Sequence, residues 1–133
     1  RDIYYKHNMK TKLEIILETK DAYLDSSNRA VNERGCEYLT EEGKMCAVGR
    51  CMTKVNRNKY GFKAESSRAV FAIQQDHIAS SIDCVLKKEY HGHETGFWNS
   101  LQNWHDTSDN FSSNTISNQG AAELDELINT YCK

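Results

Sequence analysis

No proline occurs anywhere in the 133 residues, which excludes proline-rich linkers, polyproline recognition segments and cis-proline turns. Long apolar runs are missing as well. The longest, residues 69–73, falls far short of the roughly 20 residues that cross a bilayer as a helix, so no membrane partner is expected. No secretory signal is read in the opening residues. A glycine-rich phosphate loop, a His-Glu-x-x-His metalloprotease motif and a strained nucleophile elbow are all absent, and with them the commonest signatures of nucleotide and hydrolase chemistry. What is there is ordinary for a folded domain: 38% apolar and 27% charged residues. The expected organisation is one globular domain over residues 9–133. Residues 1–8, which begin with Arg1 and precede the first methionine, are set aside as a non-native or disordered extension.

Charge is distributed unevenly. Residues 44–88 hold nine Lys and Arg against three acids, whereas residues 89–132 hold seven acids and no Lys or Arg. Within the basic third, Arg50, Lys54, Arg57, Lys59 and Lys63 stand close together with Tyr60 and Phe62 among them. Cations interleaved with aromatic rings suit a single-stranded nucleic acid, whose backbone is held by charge and whose bases stack. The competing expectation is that this stretch folds against the acidic C-terminal third and is neutralised internally.

The five cysteines, Cys36, Cys46, Cys51, Cys84 and Cys132, make an odd count. Free thiols in a reducing, cytoplasmic setting fit that number better than a disulfide framework.

The hydrophobic pattern predicts an α+β fold, mostly α-helical with one small β-hairpin near residues 35–46. Thr11 and Glu14 form a capping box that opens a helix with Leu13, Ile16, Leu17 and Leu24 on its apolar stripe. Asp25 and the polar residues after it stop that helix. Residues 35–39 and 44–46 read as the two strands, joined by a turn over 40–43 with Gly43 in the left-handed conformation. Ala47, Val48, Cys51, Met52 and Val55 predict a short helix beginning at or just after Cys46. A longer helical region is expected from Ser66 or Ser67 through Lys88, then a turn bracketed by Gly92 and Gly96. A further helix carries Phe97, Trp98, Leu101, Trp104 and His105 on one stripe. Ser117 caps the last helix, with Ala121, Leu124, Leu127, Ile128 and Tyr131 facing inward.

Three residue groups have chemical potential. A helix beginning after Cys46 would place its sulfur near unpaired amides and the positive end of the helix dipole, which favours the thiolate. Cys46 is therefore a candidate nucleophile, with His105 as its base and Asp106 as the orienting group, although neighbours on a helix point in different directions. Alternatively Cys36, Cys46, Cys51 and His105 ligate zinc, without the closely spaced Cys pair usual in structural zinc sites. The plainest reading is that the thiols pack in the core and His105 makes a structural hydrogen bond. His91 and His93, which flank Gly92, fit a solvated turn better than a metal site.

The residues Cys36, Glu37 and Tyr38, the run 46–51 beginning Cys-Ala-Val-Gly, and Leu101, Gln102, His105 and Asp106 together resemble a group of small bacterial and phage proteins. That group shows C-x-Y, then C-A-V-G, then L-Q-x-x-H-D, and the similarity covers roughly residues 35–130. The resemblance implies a small cytoplasmic bacterial or phage protein without an established activity. It also joins the hairpin cysteines to His105 and Asp106 as one pattern.

Together these features point to a binding or accessory protein with a protein or nucleic-acid partner. A cysteine-dependent hydrolase or transferase using Cys46 and His105 is the second reading. A zinc-stabilised module that binds nucleic acid through residues 50–63 is the third.

Overall fold

A computed structural model describes residues 9–32, 35–36, 40, 43–60 and 81–132. Its first helix, α1 (Lys12–Ala22), starts where the sequence says it should. The Thr11 hydroxyl accepts the Glu14 N–H at 3.1 Å, and the Glu14 carboxylate accepts the Thr11 N–H at 2.9 Å. Two otherwise unpaired amides are thereby satisfied. The Asp25 carboxylate accepts the Ser27 N–H just beyond the helix and starts a single 3-10 turn over Ser26–Asn28.

The buried face of α1 is not the predicted one. Ile15, Ile16 and Thr19 point inward, while Leu13, Leu17 and Leu24 are 41%, 46% and 50% exposed. Leu13 and Leu17 lie on the side of the helix opposite Ile15, with Ile16 between them, so periodicity alone cannot select a face. Thr19 qualifies for the core because its hydroxyl donates to the Ile15 carbonyl at 2.7 Å and carries no unpaired polar group inward.

The α+β expectation with a hairpin near 35–46 is overturned: the described residues are mostly helical and contain no such hairpin. Among the described residues the one sheet is only two residues long per strand, β1 (Val31–Asn32) antiparallel to β2 (Gly35–Cys36). It is too short to form a layer. Residues 44–46 form no strand: Met45 alone makes a bridge, and from Cys46 onward Ala47 and Val48 are wholly buried and lead into a 3-10 turn instead of alternating in and out. The tight turn itself is present without a sheet: Gly43 has φ +87° and its N–H donates to the Thr40 carbonyl at 2.9 Å.

Beyond Cys46 the chain makes a 3-10 turn over Gly49–Cys51 and then α2 (Lys54–Tyr60), where one helix from Cys46 was expected. The expected helix through Lys88 falls partly on residues 61–80, outside those described. Its C-terminal part consists of two single 3-10 turns, Asp83–Val85 and Lys88–Tyr90. Between them Leu86 bridges Met52 in antiparallel fashion. The Thr53 N–H donates to the Val85 carbonyl at 3.0 Å and the Lys87 N–H to the Cys51 carbonyl at 2.9 Å.

Helix α3 (Thr95–Asp106) buries the predicted aromatic stripe of Phe97, Trp98, Leu101, Trp104 and His105, with Gln102 beside it. Helix α4 (Asn118–Tyr131) is capped by Ser117, whose hydroxyl accepts the Gly120 N–H at 3.0 Å. It packs on both α1 and α3. Gly120 is required by close approach, since a Cβ there would lie 2.0 Å from the Asn110 carbonyl oxygen. No helix among the described residues is long and apolar enough to cross a membrane.

Candidate functional site

His105 sits in the last turn of α3 with its imidazole wholly buried. The Ala30 backbone N–H donates to Nε2 at 3.3 Å, so that nitrogen is an acceptor and the ring proton resides on Nδ1. Nδ1–H in turn donates to Asp106 Oδ1 at 2.8 Å. Sequential neighbours can meet in this way because Asp106 is the final residue of α3. Asp106 Oδ1 also accepts from the Gln102 amide at 2.8 Å, and Gln102 Oε1 accepts the Val48 N–H at 3.0 Å. Burial pulls the imidazole below its usual value of 6.5, against the smaller opposing pull of Asp106, so the ring is held neutral.

The surroundings complete a knot. The Arg29 guanidinium donates twice to the His105 carbonyl, at 3.0 and 2.7 Å, and lies 4.1 Å above the Phe111 ring. Tyr23 meets the imidazole edge-on with centroids 5.0 Å apart, and its hydroxyl donates to the Met45 carbonyl. One short network therefore ties residues 29–30, residues 45–48 and the end of α3 together.

Cys46 lies in the same region but engages a different group: its sulfur accepts the Gly49 N–H at 3.2 Å. Burial drives its pKa well above the ordinary thiol value, more than the Gly49 amide lowers it, and the Asp106 charge raises it further. Cys51 donates to the Ala47 carbonyl at 3.6 Å, and burial pushes its thiol up to about 12. Both imidazole nitrogens of His105 are thus occupied by Ala30 and Asp106. Cys36 belongs to β2, and its side chain lies outside the described residues. Among the described residues no three His, Cys, Asp or Glu side chains converge where a metal ion would be held.

His91 and His93 each use Nε2 against a backbone carbonyl, of Leu86 at 2.9 Å and of Lys10 at 2.8 Å. Between them Gly92 has φ +95°, and its N–H donates to Asp83 at 3.1 Å. This turn ties the start of α3 to residues 10 and 83–86.

The basic cluster divides. Arg50 turns inward, donating to Glu18 at 2.9 Å and to the Thr19 hydroxyl at 3.0 Å. Glu18 also accepts from the Tyr90 hydroxyl and pairs with Lys10 at 3.0 Å. Burial raises the Glu18 carboxyl, but these three hydrogen bonds outweigh it and hold the pKa at about 2. Arg57 anchors α2 by donating to the Gly49 and Met52 carbonyls at 3.1 and 3.2 Å. Lys54 and Lys59 remain exposed on α2, whereas Lys63 falls outside the described residues. Lys87 and Lys88 are also exposed, but the antiparallel Met52–Leu86 bridge sets Lys87 opposite Cys51, on the side away from α2. Sequence reading missed Glu18 as the partner of Arg50, because 32 positions separate the two.

Comparison with known proteins finds no relative: no family model, no curated protein and no solved structure matches this chain. The resemblance to small bacterial and phage proteins rests on the motif residues alone.

Proposed function

We propose that this chain is a binding or accessory protein of a reducing, cytoplasmic compartment that docks an acidic partner protein through the basic surface around α2. The observation that carries this reading is the pair of exposed lysines Lys54 and Lys59 on α2, on the same short helix as Val55, itself 77% exposed. An exposed apolar residue accompanied by cations suits a protein face that is acidic and partly apolar. The acidic C-terminal third is not what Arg50 pairs with; its partner is Glu18 of α1. The four cysteines whose side chains are described, Cys46, Cys51, Cys84 and Cys132, are free thiols, in keeping with a reducing compartment.

Binding is favoured over cysteine chemistry by the chemistry of Cys46, a buried thiol with a raised pKa and no imidazole partner. Alkylation resolved by mass spectrometry tests this. Exposed Cys84 is expected to react as a free thiol, and Cys46 and Cys51 at least about 100-fold more slowly, gated by local opening. A Cys46 that outpaces Cys84 would restore the nucleophile reading. For the surface itself, an acidic Glu/Leu-rich peptide is titrated into the labelled chain. Amide shifts confined to residues 54–59, abolished by Lys54→Glu with Lys59→Glu, are expected. Tighter binding of a single-stranded oligonucleotide, with a steep salt dependence, would replace the protein partner with a nucleic acid.

A further inference from the structure

Three leucines at α1 take no part in the core. Leu13, Leu17 and Leu24 are exposed, although the fold buries Ile15 and Ile16 of the same helix. Leu13 and Leu17 stand one turn apart on one side of α1, and Leu24 follows just beyond its C-terminal cap, Tyr23. Single exposed apolar residues are ordinary, whereas a row of them on one helix marks a contact surface.

The charges bordering this row are mostly acidic. Glu14 and Asp21 are exposed and, seven positions apart, share one side of α1 next to the leucines. The Glu14 carboxylate engages Thr11 through Oε1 only, and Asp21 has no ion-pair partner among the described residues. Lys20 borders the row on its other side, where its methylene stem prolongs the apolar surface.

The outer face of α2 is the counterpart. Its exposed residues are Lys54, Val55, Asn58 and Lys59, and the helix holds no acid. Val55 lies between the two lysines on that face. Lys54 has no ion-pair partner among the described residues. One chain therefore presents both halves of a contact, leucines edged by carboxylates and a valine edged by ammonium groups. Opposite charges at the edge select the partner and its orientation, while the apolar residues between them supply the burial.

We propose, on the reading of α2 as a docking surface for an acidic protein, that this partner is a second copy of the same chain, whose α1 presents Leu13 and Leu17 to Val55 and the Glu14–Asp21 edge to Lys54. Two different surfaces meet in such a contact, so it runs head to tail unless a single pair forms it twice and closes. Two short helix faces fall short of the roughly 800 Å² per partner that a stable interface buries, which makes the association weak and reversible.

Sedimentation velocity of the full-length chain tests this. Concentration-dependent association is expected between about 10 μM and about 1 mM, weakened at least ten-fold, roughly, when NaCl rises from about 0.05 to about 0.5 M. Lys54→Glu with Val55→Ser alters α2 alone, and Leu17→Gln with Asp21→Lys alters α1 alone. All four positions are exposed, and the new charges suit the dipoles of their helix ends, so both variants are expected to keep the folded spectrum. Each variant alone should stay monomeric. An equimolar mixture should form a dimer and stop there, because the intact α1 of one meets the intact α2 of the other. If a double variant loses its fold, Lys54→Glu and Asp21→Lys singly are each expected to weaken association about ten-fold. A chain that is monomeric throughout, association that survives either variant, or a mixture that stays monomeric overturns the proposal. The acidic-peptide titration reads α2 separately: peptide binding without self-association leaves α2 a docking surface and removes the second copy as its partner, and loss of both removes the surface as well.

Discussion

His105 is the residue on which the most separate pieces of chain depend. Its ring and carbonyl engage Ala30, Asp106 and Arg29, and through Gln102 the network reaches Val48. Replacing it by alanine strands a buried amide and a partly buried carboxylate, a loss of about 2–4 kcal/mol. The network also has a pH signature. Because the folded imidazole titrates below 6.5, the unfolded chain takes up this proton first as pH falls. Stability therefore declines from about pH 6.5 downward until the folded ring is itself protonated. Glu18 acts in a lower window: with a folded value of about 2 against an ordinary 4.5, its contribution is complete above 4.5 and is lost as pH falls toward 2. Urea midpoints measured between pH 8 and pH 2 are expected to fall in these two stages. Glu18→Gln should remove the lower stage, and His105→Gln the upper one.

At the scale of elements, the legible features were those that local chemistry specifies. The Thr11–Glu14 capping box, the Ser117 cap and the left-handed Gly43 each need only a few neighbouring residues, and all three are present. The stripe of α3 was legible because its apolar residues occupy one face only. That of α1 was not, since its apolar residues lie on opposite sides of the helix. A pair of substitutions measures the difference: Ile16→Ala is expected to cost about 2–5 kcal/mol and Leu17→Ala to stay within about 0.5 kcal/mol, by chemical denaturation. Gly120→Ala probes the contact of α4 with the 108–110 turn. A methyl group directed 2.0 Å from the Asn110 carbonyl must displace backbone. The expected loss is about 1–3 kcal/mol, despite the better helix propensity of alanine.

Across the whole molecule, charge is sorted more by folding than by sequence position. Arg50 belongs to the basic third yet serves an internal ion pair with α1, while Lys54 and Lys59 stay exposed on α2. Lys54→Glu should leave the unfolding stability nearly unchanged, within about 0.5 kcal/mol, because its side chain is exposed. A large loss of stability would show this lysine to be structural instead of available for a partner.

Sequence by itself determined the starts of α1 and α4, the buried aromatic face of α3 and the glycine turns, because each is set by residues within a turn or two of one another. Tertiary structure decided the rest. It enclosed Cys46, Ala47 and Val48 in the core, where the sequence pattern suggested the end of a strand and the start of a helix. It selected the face of α1 and supplied His105 with an amide from Ala30, 75 positions away. Such outcomes follow from which distant surfaces exclude water together, and short-range patterns carry no information about that.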